Sequence, residues 1–508
     1  MNGKECLGFR AISVACVVLL SVGATYAQRA TGQPSDPYAI ADPIFDAFRL
    51  DAHVPGLVYG IVANARLEHV ATFGVQELDS RRAVTPDSLF RIASMTKAFT
   101  ALTVLKLRDE GRVRLDAAAE EYVVELRGWN YPTDDSPRIR VRDLLNHTGG
   151  MVTDDPWGDR QTSLPEDDFT DLLRAGVPFT RAPATAYEYS NLGYALLGRI
   201  VKNVSNEPYA DTIARTLLIP LGMESSGFVA DAPPIEQRAL GYRWEDNAWL
   251  PEPTLEHGAF GAMGGMQTSA NDYAKWVAFL LSAWPPRDGV DLGPVSRASV
   301  RELAKGSNFH SLSRRYARGG TSECVQAAAY GMGMHVKMDC DLGFTLSHSG
   351  GYPGFGSHVL LLPDRGIGIF AFANRTYASP AVAVWEAALA LERAGLLGSE
   401  RAIPVSPELA NAYRAAGAIY AAGDVTVERD LLAMNFFLDR SADIRAREIA
   451  ALKARVGNCD TTSPPTATGA LSGEFIWRCE HGRVQGRLLL APTRPPAIQA
   501  LTLAAISP

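Results

Sequence analysis

Between Tyr330 and Arg375 the chain runs through short stretches rich in Val, Phe, Ile and Leu, cut by Asp341-Leu342-Gly343, Gly350-Gly351-Tyr352-Pro353-Gly354 and Pro363-Asp364-Arg365-Gly366. Strand-forming residues bounded by turn residues predict four antiparallel strands here. Far earlier, Gly56 to Asn64 and Glu68 to Gly74 predict two strands around a turn at Ala65-Arg66. The residues between are helical in pattern. Met95, Phe99, Leu102 and Leu105 recur at helix spacing before a basic, glycine-terminated end at Lys106, Arg108 and Gly111, and Leu197, Ile200, Val201 and Val204 repeat the pattern after Asn191. Hairpin, helices, then strands is the order of an α+β fold. Its first hairpin joins the late strands in one antiparallel sheet flanked by helices, beside an all-helical region.

A helical segment ends near Arg393, and 395–407, with Gly, Ser and two prolines, reads as a linker. The remainder has helical patterns from Pro407 to Lys453, a proline-rich loop at Thr461 to Gly469, and strand-like runs at Ala470 to Cys479, Gly482 to Leu490 and Ile498 to Ile506. It predicts a small C-terminal α+β domain whose order of elements resembles cystatin-like or nuclear-transport-factor-like modules. At the other end, Lys4, Glu5 and Arg10 precede an apolar run from Ala11 to Leu20 and small residues up to Ala27. That is the layout of a secretory signal peptide, and the run is too short to span a bilayer. A lipid-attachment site at Cys16 fits worse, because Val17 to Leu20 continue the apolar run beyond it. The expected organisation is 1–27 signal peptide, 28–394 main domain, 395–407 linker and 408–508 small domain, in a secreted, periplasmic protein with no membrane span once the leader is removed.

Lys and Arg number 49 against 56 Asp and Glu, a net charge of -7, so no basic face is available to neutralise a phosphate backbone and nucleic acid is not an expected partner. Of six cysteines, Cys6 and Cys16 leave with the leader, and Cys324, Cys340, Cys459 and Cys479 remain. In an oxidising compartment, Cys324 with Cys340 and Cys459 with Cys479 are the simplest of three connectivities. Zinc fits poorly: there is no Cys-x-x-Cys, and few histidines, His335 among them, lie close to a cysteine.

Ser94-Met95-Thr96-Lys97 opens the first helical pattern. Three residues apart, Ser94 and Lys97 share one helix face, close enough for the amine to exchange a proton with the hydroxyl. The helix N-terminus favours negative charge developing on the serine oxygen. Among the lysines of the chain only Lys97 has a serine three residues before it. The pair can equally be a helix-capping serine beside a surface lysine. In Tyr189-Ser190-Asn191, alternation puts Tyr189 and Asn191 on one side, and a neighbouring ammonium such as Lys97 would favour the tyrosine phenolate as a proton acceptor. A buried tyrosine before a helix explains the same residues. His348-Ser349-Gly350 stands at a strand end before a glycine-rich turn, where the backbone N–H groups of Gly351 and Ser94 can form an oxyanion hole. His147-Thr148-Gly149 has the same spacing, but only His348 follows Tyr189 in the chain.

Ser94-x-x-Lys97, Tyr189-x-Asn191 and His348-x-Gly350, in that order, resemble the three motifs of penicillin-recognising serine hydrolases: class C β-lactamases, D-Ala-D-Ala carboxypeptidases, D-aminopeptidases and family VIII esterases. Phe90-Arg91-Ile92-Ala93, the string Arg142 to Gly150, and Gly264-Gly265-Met266-Gln267-Thr268-Ser269 support the resemblance, which covers about Pro37 to Arg393. It implies a β-lactamase/transpeptidase-like fold and an acyl-enzyme mechanism that uses neither a metal nor an organic cofactor. Ser94 attacks a carbonyl, Lys97 with Tyr189 moves its proton, Asn191 holds Lys97 and orients substrate, and Ser94 and Gly351 bind the oxyanion. His348 stands where class C β-lactamases carry a lysine, and a neutral histidine is not the fixed cation that receives a β-lactam carboxylate. The expectation is a serine hydrolase acting on an amide or ester of a small molecule or peptide, with a peptide or D-amino-acid derivative foremost. Alternatives are a promiscuous carboxylesterase, or a non-catalytic sensor that acylates without turning over.

Overall fold

The computed structural model describes residues 36–316 and 323–506; the expected signal peptide, with Cys6 and Cys16, lies outside the described residues. Helix α1 (Asp42–Asp51) precedes β1 (Gly56–Ala63), β2 (Arg66–Glu77) and β3 (Arg82–Ala83). Helices α2 (Thr96–Asp109), α3 (Asn191–Ser205) and α4 (Ala270–Leu281) dominate the middle of the chain. Six strands follow: β4 (Asn308–Tyr316), β5 (Glu323–Tyr330), β6 (His335–Asp339), β7 (Gly343–Tyr352), β8 (Phe355–Leu362) and β9 (Ile367–Ala373). Helix α5 (Ala381–Arg393) closes this part.

The nine strands form one antiparallel sheet in the order β3-β2-β1-β9-β8-β7-β6-β5-β4, so the first hairpin does join the late strands. Strands β1, β8 and β9 are buried at every residue because the sheet is covered on both faces, and β1 and β9 are accordingly continuous apolar runs rather than alternating ones, while β8 also buries Ser357 and His358. Val58, Val62, Phe370 and Phe372 face one core, shared with Phe99 of α2, Leu196 of α3 and Trp276 of α4. Leu57, Tyr59, Ile61, Ile369 and Ala371 face the other, shared with Phe45 of α1 and Val384 and Leu391 of α5. The hairpin β4–β5, absent from the sequence expectation, extends the sheet past β6.

Residues 403–505 contribute to a third core, in which Leu409, Ala416 and Ile419 of α6 (Pro407–Ala422) and Ile449 of α7 (Ala442–Val456) pack on a sheet through Trp477, Val484, Leu488 and Ile498. Its strands are β10 (Cys459–Asp460), β11 (Thr466–Gly469), β12 (Ser472–Cys479), β13 (Gly482–Leu490) and β14 (Ile498–Ile506), ordered β10-β12-β13-β14 with β11 also on β12. The expected proline-rich loop thus ends early, at β11. Cys324–Cys340 and Cys459–Cys479 are both disulfide-bonded, the second joining residues directly opposite on β10 and β12. The stretch 395–407 is no free tether: Leu397 is buried, and Arg401 Nη1 donates to the carbonyls of Leu281 and Trp284, each at 2.9 Å. Among the described residues no helix is long and apolar enough to cross a membrane.

Candidate active site

Ser94 is presented by a strained turn. Phe90–Arg91 pairs with Gln267–Thr268, Ala93 then adopts φ +49°, and a 3-10 turn over Ala93–Met95 runs straight into α2. A left-handed alanine costs about 1–2 kcal/mol, which the surrounding packing must hold. Gly350 explains part of how it is held. A Cβ there would stand 2.3 Å from the Ile92 carbonyl oxygen and 2.2 Å from Ser357 Oγ, so only glycine lets β7 close against the turn.

Lys97 sits fully buried in the first turn of α2. Its Nζ lies 2.9 Å from Ser94 Oγ, 2.7 Å from Asn191 Oδ1 and 2.9 Å from the Met263 carbonyl oxygen. Charged, the amine donates to all three; neutral, it donates to Asn191 and Met263 and turns its lone pair to Ser94. Burial pulls its pKa down to about 8, against the attraction of Asp155, Asp159 and Asp154.

Asn191 begins α3, and the start of that helix is pinned. The Asp154 carboxylate accepts from the backbone N–H groups of Asn191 at 2.6 Å and Leu192 at 2.9 Å, and Ser190 Oγ accepts from Gly193 N at 3.2 Å. These bonds satisfy donors that a helix start leaves open, with a negative charge at the positive end of its dipole. Just before it, the Ser190 N–H donates to His147 Nδ1 at 3.1 Å, and Glu188 N donates to the His147 carbonyl at 2.8 Å. The string Arg142 to Gly150 thus serves as a support for Tyr189 and Asn191. Lys97 Nζ lies 4.8 Å from the centroid of the Tyr189 ring. Burial nevertheless pushes the Tyr189 hydroxyl well above the phenol range, with Asp155 adding to the rise and a hydrogen bond to Ser94 opposing it. This is opposite to the phenolate expected from the sequence. Desolvation outweighs the nearby amine, so Tyr189 is a phenol and Lys97 is the group nearest to losing its proton.

On β7, His348 Nδ1 donates to the Ser349 carbonyl at 2.6 Å, and Nε2 accepts from the Tyr330 hydroxyl at 3.0 Å. Both ring nitrogens are engaged, and burial drops the pKa to about 3 with Lys97 contributing, so the ring is neutral.

Ser94, Tyr189, His348 and Gly351 line one cavity of about 490 Å³, while Lys97 and Asn191 stand behind Ser94 through the bonds above and Gly350 seats the strand. All seven residues singled out from the sequence therefore converge. The cavity also takes in Asp155, Pro156, Asp159, Tyr187, His335, Ser349 and Tyr377, which sequence reasoning did not assign to it. Asp155 accepts from Asn191 Nδ2 at 3.0 Å, and Asp159, only 3% exposed, accepts from the Tyr377 hydroxyl at 3.1 Å. Burial, reinforced by Asp155, pushes Asp159 up to about 7. The acidic run Asp154-Asp155 to Asp159 was the available signal; its direction into the cavity was not.

Residues 41–393 match the Beta-lactamase family. The chain is 30% identical over 339 residues to Protein flp of Staphylococcus aureus (strain COL), covering 66% of this chain and 62% of that protein. It is 25% identical over 337 residues to the Unguisins hydrolase ungD' of Aspergillus campestris, covering 64% and 60%. The chain thus spans about six-tenths of the length of these curated relatives. Among solved structures, the octameric penicillin-binding protein homologue from Pyrococcus abyssi superposes with a TM-score of 0.60 at 19% identity, over 90% of this chain and 96% of that one. A class C beta lactamase from Rhodobacter sphaeroides gives 0.54 at 20% identity, over 70% and 99%. At such identities the structural likeness is one of fold. With the family model matched over residues 41–393, the chain belongs to the Beta-lactamase family.

Proposed function

We propose that this chain hydrolyses an amide or ester bond, in a peptide or D-amino-acid derivative, through an acyl-enzyme on Ser94. The observation that carries the reading is the placement of Lys97 Nζ, 2.9 Å from Ser94 Oγ with two further acceptors for its remaining N–H groups. Ser94 Oγ attacks the carbonyl carbon and its proton passes to neutral Lys97. The N–H groups of Ser94 and Gly351 receive the oxyanion. On collapse, the proton moves from Lys97 through the Tyr189 hydroxyl to the leaving group, and the acyl group stays on Ser94. Water then attacks the ester, giving up a proton to Lys97, and Ser94 recovers it as the acid departs. The neutral His348 supports substrates other than β-lactams, and the hydrolase named among the relatives agrees with bond cleavage. The leader-like start and the two disulfides support action outside the cytoplasm.

The test is time-resolved intact-mass spectrometry together with turnover of a chromogenic ester. The expected result is many turnovers per protein and a transient adduct on Ser94, both absent in Ser94→Ala. Turnover in Ser94→Ala within tenfold of wild type overturns the reading, and a stop after one equivalent assigns the chain as a sensor instead.

A further inference from the structure

Just ahead of the turn that presents Ser94 lies a buried cation that the chemistry does not use. Arg91, only 4% exposed, donates from Nη1 to the Leu255 carbonyl at 2.6 Å and from Nη2 to the Tyr352 hydroxyl at 3.4 Å, with its guanidinium 5.0 Å from the Tyr352 ring centroid. Arg238 donates from Nη1 to the Ala230 carbonyl at 3.4 Å. Both side chains line one small cavity, together with Glu252, Gln267 and Tyr352. In each arginine Nε is buried without a hydrogen-bond partner, and among the described residues neither guanidinium has a carboxylate within ion-pair distance. Glu252, the carboxylate of this cavity, is already answered by Arg160 at 3.3 Å and by the Thr376 hydroxyl at 3.1 Å. Unlike a carboxylic acid or an imidazole, a guanidinium cannot shed its charge to escape burial. Two unpartnered N–H donors and two such charges around one cavity carry a cost that an anion removes.

We propose that this cavity binds a monatomic halide, chloride in solution, between Arg91 and Arg238. Its volume of about 20 Å³ decides the class of ion: one water needs about 10–15 Å³, so a halide fits and a sulfate or phosphate does not. A water accepts the N–H groups but leaves both charges standing. The site lies behind the oxyanion hole. Arg91 pairs with Gln267 immediately before the Ala93–Met95 turn, and Tyr352 follows Gly351 on β7, so both N–H groups that receive the oxyanion hang from segments touching the cavity. A bound chloride ties those segments together through Arg91. Chloride binding does not depend on Ser94 being the nucleophile; its effect on turnover does.

The test frees the protein of halide and titrates it with sodium chloride against sodium gluconate at constant ionic strength, reading thermal unfolding and the chloride-NMR linewidth, neither of which needs turnover. Chloride is expected to raise the unfolding midpoint saturably, by about 2 °C or more, and its line is expected to broaden beyond a protein-free control. Bromide, and not sulfate, is expected to reverse the broadening by competition. Arg238→Gln is expected to abolish both effects, and Arg91→Gln to do the same; if the buried Arg91 variant fails to fold, Arg238→Gln decides. Identical behaviour in chloride and gluconate overturns the proposal, as does a chloride effect that survives Arg238→Gln or sulfate competing as well as bromide. In the wild type, kcat for a chromogenic ester is expected to climb over the same chloride range. A kcat indifferent to chloride while stability follows it would refute the link to the oxyanion hole, and turnover independent of Ser94 would sink the hydrolase reading without touching the halide site.

Discussion

The backbone N–H of Ser190 donates to Nδ1 of His147 at 3.1 Å, and the His147 ring lies 4.3 Å from that of Tyr189. One histidine outside the cavity therefore fixes both the height and the tilt of the tyrosine beside Ser94. His147→Ala leaves a buried N–H unpaired, at a cost of about 1–3 kcal/mol, and frees the Tyr189 ring. Expected are a lower unfolding midpoint and a lower kcat with little change in KM. His147→Asn, which can restore an acceptor, is expected to recover part of both. Thermal unfolding and ester kinetics on the two variants check this, and a wild-type kcat in His147→Ala would refute the positioning role.

Lys97 is competent as a base only when neutral, and its pKa is pulled down to about 8. For a neutral ester, kcat/KM should rise about tenfold per pH unit below 8 and level off above it, since the neutral fraction grows with pH. His147 and His348 lie too low to contribute in that range. A pH–rate profile measures this directly. Lys97→Arg, charged throughout, should lose the activity at every pH.

Gly350 is where β7 meets the turn that presents Ser94. In Gly350→Ala the new methyl meets the Ile92 carbonyl oxygen at 2.3 Å, and backbone cannot swing aside as a side chain can. Destabilisation of about 1–3 kcal/mol is expected, with a loss of turnover on the order of 100-fold as Ser94 shifts relative to Lys97. Unfolding midpoints and kcat of the variant supply the comparison, and an unchanged kcat would show that the turn does not depend on this contact.

Cys459–Cys479 closes a loop between residues 20 apart in sequence. Replacing both by serine should lower the stability of the module built on β12 and β13 by about 3 kcal/mol, and leave ester turnover within about threefold, since neither cysteine lines the cavity. Calorimetric unfolding of the double variant, beside its kinetics, tests both halves.

The β1–β2 hairpin, α2 and the four strands from β6 to β9 were legible because their signals are local: apolar runs, helix spacing and glycine-bearing turns. The hairpin β4–β5 was not. In β4, Asn308-Phe309-His310-Ser311-Leu312 are largely polar, and Phe309 and Leu312 face solvent at a sheet edge, while the buried stripe of β5 runs through Cys324, Gln326 and Ala328 rather than through large apolar residues. In the site, Ser94, Lys97, Tyr189, Asn191 and His348 stood out by spacing and order. Asp159 did not, because a sequence displays a charge without its direction. The rise at Tyr189 was misjudged for a similar reason: burial causes it, and the rings that pack against Tyr189 include His147 and Tyr330, which come from distant parts of the chain.

Strand β1 is seated between β2 and β9, and the Gly56 N–H is met by the side chain of Asn374, 318 residues later. During synthesis the first hairpin emerges with one edge bare, and no nearby stretch can cover it. The sheet is sealed only when almost the last residues of this part are delivered. Until residue 374 has left the ribosome, this edge of the hairpin has no native partner, so the centre of the sheet, and with it the wall behind Ser94, closes only after nearly the whole of this part has been made.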